Sequence, residues 1–236
     1  KNVFVEKPLA IDAEQLGRVK QAYNDQLQAG KSAKIMVGFN RRFAPQILKM
    51  KALLATVAEP KSFIMTMNAG AIPAGHWTQV PEVGGGRIIG EACHFVDLMR
   101  YLAGSEIISV QARRMGNTPG LAITEDKAAI ILGFADGPFG TIHYYANGAA
   151  SYPKERVEVF AAGKVLQLDN FRKLRGFGWQ GFKKMNLWQQ DKGQKACALA
   201  FLNAITQGHP APISAEEIFE VADVTIRISQ QLRDQH

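Results

Sequence analysis

The chain has 236 residues, 47% of them hydrophobic and 21% charged, with a net charge of +7. This is globular composition, enough chain for one large domain or two modest ones, and no apolar run approaches the roughly 20 residues that span a bilayer. Two cysteines, Cys93 and Cys197, fit neither a disulfide scaffold nor a metal-ligand spacing, so no metal is expected and a reducing, cytoplasmic setting is.

The chain opens with Asn2-Val3-Phe4-Val5, the pattern of a short buried strand. Glu6-Lys7-Pro8 follows it, and Asp12 is placed to N-cap a helix running to Leu27 and ending near Gly30. Residues 33–38 form a second strand. Strand, helix and strand at this spacing make a βαβ unit, a fragment of a parallel sheet that cannot bury both of its own faces. Residues 1–38 are therefore expected to be the tail of a domain whose beginning lies outside the chain.

Asn40-Arg41-Arg42-Phe43 leads into a helix over 45–55, then an alternating strand over 62–68. Residues 69–86 are a loop rich in glycine and proline that carries His76 and Trp77. Gly84-Gly85-Gly86 introduces a helix from about Ile88 to Leu102, closed by Gly104. Ile88, Ala92, Phe95, Met99 and Leu102 form one apolar stripe, and Glu91, His94 and Asp97 fall along one shoulder of it. A half-buried helix edge can hold a titratable group and leave it reachable. The residues alone leave two readings of His94 open, a satisfied rim histidine or a proton-transfer group.

Beyond Gly104 the period changes. Residues 107–115, 126–134, 140–145, 155–161 and 164–169 alternate as strands, with tight turns at Asp136-Gly137-Pro138 and Ala162-Gly163-Lys164. Such short connections join antiparallel neighbours, giving a sheet of five or six strands. Arg172, Lys173, Arg175, Lys183 and Lys184 alternate with Phe171, Phe177, Trp179 and Phe182. Aromatics among cations can stack single-stranded nucleic acid; a solvated loop with inward aromatic anchors is the better reading here, and neither a nucleic-acid nor a membrane partner is expected. Helices follow over 192–207 and 214–233, the latter with Ser214 and Glu217 as a capping box. The fold class is α+β: an open, largely antiparallel sheet covered by helices on one face, preceded by the βαβ remnant.

Three separated motifs, Glu6-Lys7-Pro8 at a strand end, Gly38-Phe39-Asn40-Arg41-Arg42-Phe43, and the glycine triplet leading to His94 and Asp97, together resemble the Gfo/Idh/MocA oxidoreductases. The likeness covers essentially the whole chain. The Gly-Gly-Gly-Arg-Ile-Ile-Gly-Glu form resembles a subgroup of two-part dehydrogenases linked to polysaccharide metabolism. The resemblance implies an NAD- or NADP-dependent enzyme oxidising a hydroxyl of a sugar or sugar derivative, with residues 1–38 as the tail of a dinucleotide-binding domain of Rossmann type and 39–236 as an α/β substrate-binding and oligomerisation domain. It implies His94 as proton acceptor, Lys7 between cofactor and substrate, and Glu6, Lys7 and Pro8 beside the cofactor. Asn40, Arg41, His76 and Asp97 are then candidates for the substrate cleft.

One position departs from that pattern: the aspartate usual four residues before the histidine is Gly90, and Glu91 follows it. Glu91 is open to three readings, orienting His94, contacting a substrate hydroxyl, or offsetting the helix dipole. No G-x-G-x-x-G follows a strand in the chain, so the main cofactor-binding segment is expected outside it and the chain alone is expected to be inactive. The alternative is a non-catalytic carbohydrate- or partner-binding module derived from the family. An open sheet presents a face that needs cover, so a homodimer or higher homo-oligomer is expected.

Overall fold

The computed structural model describes residues 1–31, 33–73, 75–116 and 124–235. Strand β1 (Val3–Val5), helix α1 (Ala13–Gln28) and strand β2 (Ile35–Val37) form a right-sized βαβ unit, with β1 and β2 paired in parallel. Asp12 caps α1 as its sequence suggests, its Oδ1 accepting the Gln15 N–H at 2.7 Å. One expectation fails: β1 is not buried. Val3 is 49% exposed and Phe4 39%, because among the described residues the pair has no third strand and its outer side is uncovered. On the inner side Met36 and Val37 join the main core.

That core lies between helices and an eight-stranded mixed sheet. Helix α2 (Pro45–Leu54) starts on a proline, which suits the first helical position. Strand β3 (Ser62–Asn68) follows, then a loop with one short turn of helix, α3 (Pro81–Gly84), and helix α4 (Cys93–Ala103). Gly104 closes α4 in the left-handed conformation at φ 86°. The remaining strands are β4 (Ile107–Arg114), β5 (Lys127–Phe134), β6 (Phe139–Tyr145), β7 (Glu155–Ala161), β8 (Lys164–Asp169), β9 (Lys173–Phe177) and β10 (Lys184–Asn186). Helices α5 (Gln194–Thr206) and α6 (Ala215–Arg233) end the fold, and Ser214 accepts the Glu217 N–H at the start of α6.

Two features of the sheet differ from the sequence expectation. Its order is β10-β9-β8-β7-β3-β6-β5-β4, so β3 is inserted between the two later hairpins, antiparallel to β7 and parallel to β6. The count also rises to eight, because the aromatic and basic stretch read as a loop forms the β9–β10 hairpin. Three of its four aromatics, Phe171, Trp179 and Phe182, are buried, while Phe177 is 52% exposed and Arg172, Lys173 and Arg175 are exposed as well.

Candidate active site

The decisive local feature is the backbone that precedes α4. Residues Ile88–Ala92 form one turn of π-helix rather than the first turn of a continuous α-helix. All five residues of the apolar stripe are nonetheless buried. The wider turn shifts the phase between Glu91 and His94, so Glu91, His94 and Asp97 do not share one shoulder. Each faces a different environment.

Glu91 turns toward the sheet. Its Oε2 accepts from Tyr144 Oη at 2.5 Å and Arg87 Nη2 at 3.1 Å, and its Oε1 from Lys154 Nζ at 3.2 Å. Burial opposes its charge, but the Tyr144 hydroxyl, Lys154 and Arg87 together hold the carboxyl down at about 2. Arg87 also donates to the Ala69 and Gly70 carbonyls, tying the loop after β3 to the π turn. Gly84 is required beneath this loop: a Cβ there would lie 2.5 Å from Thr78 Cα.

Asp97 is fully buried and accepts from Arg42 Nε at 3.1 Å and Nη2 at 2.5 Å; Arg42 Nη1 reaches Glu217 on α6 at 2.9 Å. Burial opposes the Arg42 charge, and the two carboxylates outweigh it, raising its pKa further. Removing one partner of so buried a pair costs about 3–5 kcal/mol. Asp97 thus lies in a core ion pair and lines neither cavity described next.

His94 is 5% exposed, and its Nδ1 is buried without a hydrogen-bond partner among the described residues. Leaving such an atom unsatisfied costs on the order of 1–3 kcal/mol. Burial, then the cations Arg41, Lys7 and Lys192, push its pKa well below 6.5, so the ring is neutral at pH 7. Those cations are held in place. Arg41 donates through Nε and Nη2 to the two oxygens of Glu155, both at 3.0 Å, and Lys192 Nζ donates to Glu155 Oε1 at 2.6 Å. Asn40 Nδ2 donates to the Lys192 carbonyl at 2.6 Å.

Two cavities flank Lys7, whose Nζ donates to the Gly90 carbonyl at 2.6 Å. One, of about 490 Å³, is lined by Lys7, Pro8, His76, Trp77, Arg87, Gly90 and Glu91 among others. The other, of about 310 Å³, is lined by Glu6, Lys7, Asn40, Arg41, His94 and Lys192, with Phe4, Gly38, Gln194 and Cys197 completing it. The residues singled out from sequence therefore divide. His76 and Glu91 stand in the first cavity, Asn40, Arg41 and His94 in the second, Lys7 in both, and Asp97 in neither. The position where a carboxylate was expected has room for a Cβ, which on Gly90 would meet only the Gly84 carbonyl at 3.8 Å.

Sequence reasoning missed Lys192, Glu155, Arg87, Tyr144 and Lys154. For Lys192 a signal existed: Asp191-Lys192-Gly193 is turn chemistry, and the turn puts the lysine just outside α5 rather than within it. Glu155 and Tyr144 sit on strands as polar groups with nothing local to mark them. Among the described residues, no group of three or more His, Cys, Asp or Glu is placed to hold a metal, and no helix is long and apolar enough to cross a membrane.

The profile of the GFO/IDH/MocA C-terminal domain matches residues 47–165. The chain belongs to the Gfo/Idh/MocA family. The matched segment of this Gfo/Idh/MocA chain contains His76, Glu91, His94 and Asp97, while Lys7, Asn40, Arg41 and Lys192 lie outside it. It is similar to inositol 2-dehydrogenase of Rhizobium meliloti (strain 1021), 27% identical over 177 residues that make up 73% of this chain and 51% of that protein. It is also similar to inositol 2-dehydrogenase 2 of Saccharopolyspora erythraea, 30% identical over 157 residues, 64% and 43% of the two chains. The chain thus spans about half the length of the curated relatives it matches.

Among solved structures, levoglucosan dehydrogenase in complex with NADH and levoglucosan superposes with a TM-score of 0.83 at 22% identity, covering 99% of this chain and 72% of that one. A putative myo-inositol dehydrogenase from Sinorhizobium meliloti 1021 gives 0.76 at 22%, covering 100% and 73%. At these identities the likeness establishes the fold.

A nicotinamide dinucleotide is the group this family implies. The residues present fit its reacting end: Glu6, Lys7 and Pro8 stand at the carboxyl end of a parallel strand, where open α/β sheets take ligands. Glu6 and Lys7 share a cavity with His94, whose Nδ1 is buried and unpartnered among the described residues, while Pro8 lines the larger cavity.

Proposed function

We propose that the chain is the C-terminal portion of an NAD(P)-dependent oxidoreductase acting on a hydroxyl of a sugar or sugar derivative. The observation that carries this reading is Lys7, fixed on the Gly90 carbonyl at 2.6 Å, in the wall of two cavities of which one holds a neutral, buried His94. Glu6, Lys7 and Pro8 would hold the reacting end of the cofactor, which when bound supplies the acceptor for the hydride leaving the carbinol carbon. The chain's own residues handle the other half of the oxidation. The Lys7 ammonium donates to the reacting oxygen and stabilises its alkoxide character. His94, neutral at physiological pH, accepts the hydroxyl proton. Glu91 contributes a permanent negative charge to the wall of the larger cavity, where it can accept from a substrate hydroxyl; Asn40, Arg41 and His76 complete the walls. Residues 1–38 serve as the tail of the dinucleotide-binding domain, and the uncovered face of the large sheet pairs subunits.

The test is NAD(P)-dependent oxidation of a sugar panel by the protein as encoded, with Lys7→Ala and His94→Ala compared at equal folded fraction. Each is expected to lower kcat/KM at least about 100-fold. Wild-type rates in both variants would overturn the roles given to Lys7 and His94, and no turnover by the wild type would instead favour a non-catalytic binding module.

A further inference from the structure

The cavity that holds His94 has a second unusual wall. Helix α5, 13 residues long, begins at it: Lys192 and Gln194 both line the cavity, on either side of the N-cap residue Gly193. Gly193 supplies no side chain to cap the helix, and no acidic residue stands in the first turn. Its own N–H is taken by Asp191 Oδ1 at 2.8 Å, while the amides of the following turn have no side-chain cap. An uncapped helix start presents N–H groups and a partial positive charge. Lys7, Arg41 and Lys192 add three full charges around the same space, against Glu6 at its rim, Glu155 buried behind Arg41 and Lys192, and Asp191 on the Gly193 N–H. Independently of the helix, His94 lines this cavity 5% exposed, with Nδ1 buried and unpartnered among the described residues.

We propose that this cavity receives an anionic group, so that the sugar derivative bound here carries an acid, a carboxylate or a phosphate. The proposal rests on the dehydrogenase reading for the word "sugar" and on the cavity's own charges for the word "acid". Arg41 spends two nitrogens on Glu155, Lys192 Nζ one bond on Glu155 and Lys7 Nζ one bond on the Gly90 carbonyl, so each keeps further N–H groups which, with the α5 amides, can meet the anion. An acid seated among them completes their hydrogen bonding.

The experiment uses the full chain and matched probes: D-glucuronate against D-glucose, D-galacturonate against D-galactose, and D-glucose 6-phosphate. Affinities come from calorimetry, and occupancy of the site from the His94 imidazole signals in nitrogen NMR. At least one acid is expected to bind about tenfold or more tighter than its neutral counterpart, to move the His94 signals, and to weaken with added salt; which acid does so separates carboxylate from phosphate. Gln194→Glu places a carboxylate at the start of α5, a substitution that favours the helix, and should lower the acid-to-neutral ratio about tenfold. Lys192→Met should lower it similarly, and Lys192→Arg should retain it. A ratio near one in the wild type, with His94 still perturbed, overturns the acidic ligand and leaves the dehydrogenase reading standing. A ratio unchanged by Gln194→Glu overturns it as well. If no probe perturbs His94 the proposal falls, and the turnover of His94→Ala decides the dehydrogenase reading on its own.

Discussion

Three cations, Lys7, Arg41 and Lys192, surround an imidazole that is 5% exposed, and with burial they set the protonation of His94. For a proton acceptor the sign matters: the neutral ring is the active form, and a pKa pushed well below 6.5 keeps it active as pH falls through 6.5. The acid limb of kcat/KM, which reports the free enzyme, is therefore expected below pH 6.5. Lys192→Met removes one of the cations and should move that limb back up toward 6.5, with the imidazole titration followed by NMR moving in step. A wild-type limb at or above 6.5 would count against His94 as the acceptor. The sequence placed Glu91, His94 and Asp97 on one helix shoulder because the 3.6-residue period of 88–102 is satisfied by the buried stripe whether or not the first turn is wide. The π turn at Ile88–Ala92 changes their relative directions without altering that stripe, so nothing in the local pattern reports it.

Elements whose ends are set by neighbouring residues were legible: the Asp12 and Ser214 caps, the Gly104 stop, and the strands at 62–68, 155–161 and 164–169. Elements fixed by distant partners were not. The insertion of β3 between β6 and β7 depends on pairings across about 80 or more positions, and β9 and β10, at five and three residues, are too short for their alternation to stand out. The start of α5 shows how one residue decides such a boundary. Gly193 has φ 81°, and a Cβ there would stand 2.5 Å from the Asn40 carbonyl oxygen and the Ala44 nitrogen, both backbone atoms that cannot turn aside. Gly193→Ala should therefore destabilise by on the order of 2–4 kcal/mol and displace Lys192 from the His94 cavity. Gly30→Ala is the control: Gly30 has φ 69° with nothing near its Cβ position, so only the backbone preference of about 1 kcal/mol is lost. Equal unfolding midpoints for the two variants in urea would show that the close approach at Gly193 is not a constraint.

For the whole molecule, the outer face of the large sheet is where composition and fold meet least comfortably. The register aligns Phe139, Ser62, Phe160, Val165 and Phe177 in one row across five strands, and Ile131, Thr141, Ile64, Glu158, Gln167 and Arg175 in the next. Phe139 is 54% exposed and Phe177 52%, while Phe160, Ile64 and Ile131 are exposed as well. Contiguous aromatic and aliphatic side chains on a sheet face mark an interaction surface. With no charge between the phenylalanines of the first row, a two-fold pairing along it would set like rows against each other. The chain is therefore expected to sediment as a dimer or larger at micromolar concentration. Replacing Phe139 and Phe160 with lysine places two cations in the row, which repel across such an axis and cannot be desolvated there. The double variant should sediment at the monomer mass with an unfolding midpoint no higher than the wild type's. A wild type that is already monomeric at 50 µM (a concentration on the order of those that populate weak, micromolar dimers) would overturn pairing through this face.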